Sequence, residues 1–254
     1  MLRHFLSIFI LSCFIFTSNA FANTKPTLIF YCGITMVKPM QELANKFEKT
    51  HNCKIKIIQG GSQDLYDSLK LSQEGDLYLP GSDSYLEKNK QSGFFREKLF
   101  VGYNQVAIFV KKGNPKGIKN LDDFVNENYS SVICNPKSGS IGKMSKKVFV
   151  NYKGEEFFNQ VFDLAIEIST DSRSLNASLK KDLVDFTLNW KATAFFDENK
   201  KYIDIINVDE KYAPKKKLVL TVLSFSKNRD LTLKFQDFAA SQEGIDTMKK
   251  YGFR

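Results

Sequence analysis

The sequence predicts an α/β protein of two units, each built on a doubly wound, mostly parallel sheet. Short apolar strands alternate with amphipathic helices along the chain. Two stretches combine a strand, a glycine-serine turn and a helix, one at 54–65 (KIKIIQGGSQDL) and one at 135–147. The 254 residues suffice for one large or two medium domains, and 43% hydrophobic residues are enough for full cores.

In the first unit, strands and helices are predicted to alternate. Three strands are expected at 26–31, 54–58 and 75–79, with helices at 37–48 and 63–71 between them. This order favours parallel strands with right-handed crossovers. Such sheets bind ligands beyond the carboxyl ends of their strands, where Thr35, Ser62 and Ser82 fall.

The second unit repeats this alternation without a visible sequence repeat. Strands are predicted at 103–111, 132–134, 186–190 and 203–208, helices begin near 121 and span 143–151, and another helix ends at 179–182. After this unit, a strand at 217–223 and two helices at 231–241 and 244–251 close the chain.

The glycine-serine turns are suited to anions. Gly60 and Gly61 let the backbone turn tightly and approach a ligand, while Ser62 offers a hydroxyl or caps the helix. The free N–H groups and the positive end of a helix dipole favour negative charge there. The alternative is that such a serine only caps its helix.

The amino terminus is typical of a secretory signal peptide over residues 1–22. Arg3 precedes a mostly apolar run at 5–16, and Ala20-Phe21-Ala22 is a cleavage site that leaves Asn23 first. Lipid attachment at Cys13 is disfavoured because the apolar run continues past it. We therefore expect a periplasmic protein without a lipid anchor.

Charge and cysteine content narrow the function. The formal charge of +9 falls to +8 when Arg3 is removed, which favours either anionic ligands or simply a lysine-rich solvated surface. The lysines are scattered without a recognition motif, so nucleic acid is not expected as a partner. Three cysteines remain after cleavage (Cys32, Cys53 and Cys134), and with His51 as the remaining histidine they do not make a metal cluster. Cys32 and Cys53 fall at opposite ends of a parallel pair, too far apart for a disulfide.

The order of motifs resembles periplasmic solute-binding proteins of ABC importers, most closely the molybdate/tungstate-binding family. The resemblance covers nearly all of 27–253 and includes TLIFYCGITM, GGSQDL, GDLYLPGSDSYL, ICNPKSGSIGKMSKKVF, VDFTLNW and FQDFAASQEGIDTMKKYGF. It implies the two-lobed type II periplasmic-binding-protein fold, with lobe 1 at 23–102 plus 209–254 and lobe 2 at 103–208. It also implies an inner-membrane permease as partner, a monomer, no cofactor and no enzymatic activity.

The resemblance implies an oxyanion held between the lobes by hydroxyls and backbone N–H groups. Its positions fall on Thr35, Ser62, Ser140, Ile141, Ser172, Arg173 and Trp190. Two departures put the particular anion in question: Thr35 adds a methyl group, and Trp190 donates an N–H where a tyrosine is usual. Each position also has a structural reading, as a helix cap for Thr35 and Ser62, a solvated residue for Arg173 and a core residue for Trp190.

Other functions stay open. The same fold could bind ferric ion, for which Tyr31, Tyr78 and Tyr103 would have to converge, or an organic phosphate or carboxylate. A secreted hydrolase is disfavoured because the chain has no G-x-S-x-G motif and no paired carboxylates beside a histidine. No carboxylate is expected at the anion site, which favours a proton-free anion such as molybdate or tungstate over phosphate.

Overall fold

The computed structural model describes residues 25–253; the predicted signal peptide, Cys13 and Asn23 lie outside this range. Within it, two five-stranded sheets form two lobes. The first sheet has the order β2-β1-β3-β10-β4 and the second the order β7-β6-β8-β5-β9. The strands are β1 (Thr27–Gly33), β2 (Lys54–Gly60), β3 (Leu77–Leu79), β4 (Phe95–Asn104), β5 (Val106–Lys111), β6 (Ser131–Cys134), β7 (Glu167–Ser169), β8 (Phe186–Trp190), β9 (Ile203–Asn207) and β10 (Lys216–Leu223).

Helices cover both sheets. They are α1 (Val37–Thr50), α2 (Ser62–Ser72), α3 (Ser84–Lys88), α4 (Ser140–Leu164), α5 (Ser172–Lys180), α6 (Asp197–Lys200), α7 (Arg229–Ala240) and α8 (Gln242–Lys250). α4 is two helices joined at a kink, because Gly154 has φ of 90°, a conformation that glycine tolerates. No helix within the described range is long and apolar enough to cross a membrane.

Both sheets are mixed rather than mostly parallel. β1 pairs in parallel with β2 and β3, whereas β10 pairs antiparallel with β3 and β4. In the second sheet β6 pairs in parallel with β7 and β8, and β5 pairs antiparallel with β8 and β9. The antiparallel strands β4, β5 and β10 flank the points where the chain passes between the sheets.

The predicted strand at 103–111 proves to be two strands in different sheets. β4 ends at Asn104 in the first sheet, Gln105 lies between, and β5 begins at Val106 in the second sheet. The apolar run is continuous across this point, so the sequence pattern does not mark where the chain changes lobe.

Each lobe has its own aromatic core. In the first, the Phe47 and Phe235 rings meet edge to face at 5.3 Å between centroids, which packs α1 against α7. In the second, Phe124 packs on Phe149 at 4.9 Å. Phe196, which follows β8 in the chain, is buried in the core of the first lobe. The stretch 191–200, between two strands of the second sheet, therefore reaches across to the first lobe.

Candidate functional site

Four helical segments begin around one small cavity between the lobes. The 3-10 turn before α1 begins at Ile34, α2 begins at Ser62, α4 at Ser140 and α5 at Ser172. The first two belong to the first lobe and the last two to the second. The cavity has a volume of ≈ 20 Å³. A single water molecule needs about 10–15 Å³ by this measure, so the cavity holds a group of a few atoms.

Five of the seven candidate residues lie in the wall of this cavity: Thr35, Ser62, Ser140, Ile141 and Ser172. The other two lie beside it. Arg173 lines a larger adjoining cavity, and Trp190 lines a third cavity that also touches Ser140.

Ser62 is the first residue of α2 rather than its cap, which is Gly61. Its Oγ accepts a hydrogen bond from the Gly81 N–H at 3.0 Å, and its carbonyl accepts one from the Tyr78 hydroxyl at 2.7 Å. These bonds fix the position of Ser62 and occupy an acceptor site of its hydroxyl. The proton of that hydroxyl is therefore available for a ligand.

Ser140 repeats this arrangement in the other lobe. It follows Gly139, the cap of α4, and its Oγ accepts a hydrogen bond from Trp190 Nε1 at 3.2 Å. Trp190 is 1% exposed, so it acts as a buried support for Ser140 and does not lie in the wall of the small cavity. The Ser140 hydroxyl is thereby oriented with its proton free to donate.

The glycine caps leave backbone donors open. Neither Gly61 nor Gly139 supplies a side chain to the first turn, and the first intrahelical bonds are donated by Leu65 and Lys143. The preceding N–H groups, including that of Ile141, are the donors that every helix start leaves without an intrahelical partner. They add to the positive end of each helix dipole.

The start of α5 differs from those of α2 and α4 because a side chain caps it. The Asp171 side chain caps α5 by accepting from the backbone N–H groups of Arg173 at 2.7 Å and Ser174 at 2.9 Å, so the Arg173 N–H is already occupied. Asp171 lines the small cavity, which corrects the expectation of a site without a carboxylate. Both bonds go to Oδ1, and within residues 25–253 Oδ2 accepts no hydrogen bond.

Thr35 is buried, with 4% exposure, and its hydroxyl donates to Met36 Sδ at 2.8 Å. A thioether is a weak acceptor, so rotation of the Thr35 hydroxyl toward a ligand costs little. Gly81 was not singled out from the sequence. A Cβ built on it would lie 2.4 Å from Ser140 Oγ and 3.6 Å from Ser62 Oγ, so Gly81 separates the two serines.

The tyrosines considered for ferric ion do not converge here. Tyr78 donates to the Ser62 carbonyl and is buried, which raises its pKa well above the usual value. Tyr31 bonds Ser72, and Tyr103 packs on Phe100. None of the three lines the small cavity. Over residues 25–253, no cluster of histidine, cysteine, aspartate and glutamate has the arrangement of a metal site.

Comparison with known structures supports the two-lobed fold. The sulfate-binding protein SubI of Mycobacterium tuberculosis is similar with a TM-score of 0.78 and 15% identity, over 90% of this chain and 86% of that one. The periplasmic molybdate-binding protein of Azotobacter vinelandii gives a TM-score of 0.74 and 12% identity, over 89% and 98%. These likenesses confirm the type II periplasmic-binding-protein fold. Solved structures of a thiamin-binding protein, an iron-bound protein and an L-phospholactate-bound protein share this fold too. The fold therefore does not identify the solute.

Sequence comparison identifies the family to which the chain belongs. A curated relative from Haemophilus influenzae is 20% identical over 235 residues, which is 92% of this chain and 94% of the relative. The family model described as bacterial extracellular solute-binding protein matches residues 28–254. The chain therefore belongs to the bacterial extracellular solute-binding proteins.

Proposed function

We propose that the protein is the solute-binding component of an ABC importer and that it captures a tetrahedral oxyanion between its lobes. The observation that carries this proposal is the pair of serines, Ser62 and Ser140, one from each lobe. Each has an acceptor site filled by a fixed N–H donor, and each keeps its own proton for a ligand. An anion that accepts from both hydroxyls joins the two lobes.

The hydrogen-bond donors of the small cavity support this assignment, and Asp171, its one charged lining residue, already accepts from the N–H groups of Arg173 and Ser174. No lysine or arginine is among its lining residues, and the donors are hydroxyls and backbone N–H groups at helix starts. Burying an unpaired charge is costly, but fixed N–H and O–H dipoles solvate an anion without a matching cation. Such a site favours a compact anion with several acceptor oxygens.

Molybdate and tungstate are the inorganic ligands we propose to test first. Both are free of protons near neutral pH and accept from every donor. Phosphate carries a proton there and needs an acceptor in the site. Oδ2 of Asp171 is such an acceptor, so phosphate belongs in the same test.

Transport follows from closure of the lobes. The solute enters between them, the lobes close by a hinge motion, and the closed protein presents it to an inner-membrane permease. A contact that closure would make is present across the cleft, where Arg173 Nη2 donates to Gln59 Oε1 at 2.9 Å. We propose a monomer that binds without chemistry.

We propose export with cleavage after Ala22. Mass analysis of the protein from the periplasmic fraction is expected to give a chain beginning at Asn23, because Ala20-Phe21-Ala22 is a small-x-small site. A lipid-modified chain beginning at Cys13 would contradict this.

Ser62→Ala is expected to weaken oxyanion binding by about 1.5–3 kcal/mol, the scale of a hydrogen bond to a charged partner. The fold is expected to persist, because only the Oγ acceptor for the Gly81 N–H is lost. Isothermal titration calorimetry with molybdate, tungstate, sulfate and phosphate measures the effect.

Ser68→Ala is the matched control, since Ser68 is exposed on the same helix and bonds only the Asp64 carbonyl. It should bind as the parent does. If Ser62→Ala also bound the best of these anions as tightly as the parent, the oxyanion site would be misassigned.

A further inference from the structure

A second, larger cavity opens beside the small one. Its volume is ≈ 350 Å³, and the two share Ile34, Thr35 and Ser172 in their walls. Pockets for small organic ligands usually measure about 300–1,000 Å³. An inorganic oxyanion would occupy only the small cavity, and the larger one would serve no purpose in its binding.

The larger cavity has a surplus of positive charge. Lys38, Arg173, Lys180 and Glu198 line it. Lys38 forms an ion pair with Glu198. Partial burial alone would raise the Glu198 pKa, but with the Lys38 hydrogen bond the pKa is lowered, so this carboxylate stays charged and neutralises Lys38.

Arg173 and Lys180 are two further cations in this wall, and Lys180 lies near enough to Glu198 to help lower the pKa of its carboxyl. Within the described residues, the guanidinium of Arg173 bonds the neutral Gln59 side chain, and Lys180 Nζ donates to the Glu198 backbone carbonyl at 3.5 Å. Neither forms an ion pair there. An anionic group of a ligand would be attracted to this side of the cavity.

We propose, resting on the oxyanion site above, that the solute is a small organic phosphate that also carries a carboxylate. The phosphate accepts from Ser62 and Ser140 in the small cavity. The carboxylate faces Arg173 and Lys180 in the larger cavity. A phosphate monoester has its second pKa near 6, so at pH 7.5 it is mainly a proton-free dianion. It therefore accepts from every donor, as molybdate does.

The first experiment compares four ligands with the purified protein at pH 7.5 by calorimetry. The probes are 3-phosphoglycerate, glycerol 3-phosphate, inorganic phosphate and molybdate. We expect 3-phosphoglycerate to bind at least about tenfold more tightly than glycerol 3-phosphate, which lacks the carboxylate, because a hydrogen-bonded charge pair contributes at least this much. Inorganic phosphate and molybdate should bind more weakly still.

The second experiment uses Arg173→Gln, with Lys181→Gln as the matched control. Lys181 is the C-cap residue of α5, is exposed and lies in neither cavity wall. Arg173→Gln should lower the ratio of 3-phosphoglycerate affinity to molybdate affinity at least about tenfold. Lys181→Gln should leave that ratio unchanged. Melting temperatures report whether both variants fold.

The outcomes separate this inference from the proposed function. If molybdate or inorganic phosphate binds as tightly as 3-phosphoglycerate and Ser62→Ala weakens it, the oxyanion site stands and the organic ligand is wrong. If Arg173→Gln leaves the ratio of 3-phosphoglycerate affinity to molybdate affinity unchanged, the proposal of an organic ligand is also wrong. If 3-phosphoglycerate binds but Ser62→Ala has no effect, or if no anion binds, the oxyanion site itself is wrong.

Discussion

Gly81→Ala is expected to weaken binding of the proposed oxyanion by about 100-fold or more. The added Cβ would lie 2.4 Å from Ser140 Oγ, whereas Gly81 belongs to the first lobe and Ser140 to the second. The two lobes would then either close incompletely or displace the Ser140 hydroxyl from its position. Losing the bonds from both serines costs about 3 kcal/mol or more, which is a factor of at least about 100.

The same substitution should leave the unliganded protein stable. Gly81 does not have the positive φ that alanine avoids, and the clash is with the other lobe. Calorimetry measures affinity, and thermal melting without ligand measures the fold. Gly60→Ala is the comparison variant, because its Cβ would contact the Leu65 side chain of the same lobe at 3.3 Å. We expect Gly60→Ala to lower the affinity for the oxyanion less than Gly81→Ala does. Parent-like affinity in Gly81→Ala would contradict closure onto Ser140.

Gly142→Ala is expected to lower the free energy of unfolding by about 3 kcal/mol, the upper end of the usual cost of overpacking. A Cβ at Gly142 would lie 2.0 Å from the Asn135 carbonyl oxygen. Alanine favours a helix over glycine by about 1 kcal/mol, but a backbone carbonyl this close cannot yield without moving the turn or the helix. The first turn of α4 would shift, taking Ser140 with it, so binding should weaken too.

Urea denaturation of the unliganded protein measures the free energy of unfolding of Gly142→Ala and of the parent. Ser145→Ala on the same helix is the control. Ser145 is buried, and its hydroxyl lacks a partner among residues 25–253, so its removal should be neutral or slightly stabilising. An unchanged or higher urea midpoint for Gly142→Ala would contradict the prediction, because it would mean that the turn at Asn135 moves to accommodate the Cβ at little cost.

The sequence predicted the elements that are specified locally. The first three strands and the two helices between them occur as expected, because apolar periodicity and glycine turns mark both ends of each element. β4 was missed along most of its length. Its sequence carries Arg96, Glu97 and Lys98 in a row and lies at the edge of the sheet, where pairing with distant β10 decides the strand.

The residues around the small cavity also differ in how far the sequence indicates them. The hydroxyl residues in its wall were candidates because each follows a glycine turn or matches a family motif. Gly81 was missed because its role depends on its distance from Ser140 in the other lobe. Asp171 was missed although a recognisable signal exists, since an aspartate before Ser172 and a helical pattern is a common helix cap. Its place in the wall of the small cavity, however, depends on how the lobes meet.

Residues 25–253 contain three cysteines, all unpaired and buried: Cys32 at the end of β1, Cys53 before β2 and Cys134 at the end of β6. Burial raises the pKa of all three thiols, which suppresses the reactive thiolate. In an extracellular protein this protection begins only when the chain has folded. Oxidation therefore competes with folding in the short interval after translocation. A chain that folds slowly would be trapped by wrong disulfides, so the kinetics of the β1–β2 and β6 cores bear directly on the yield of functional protein.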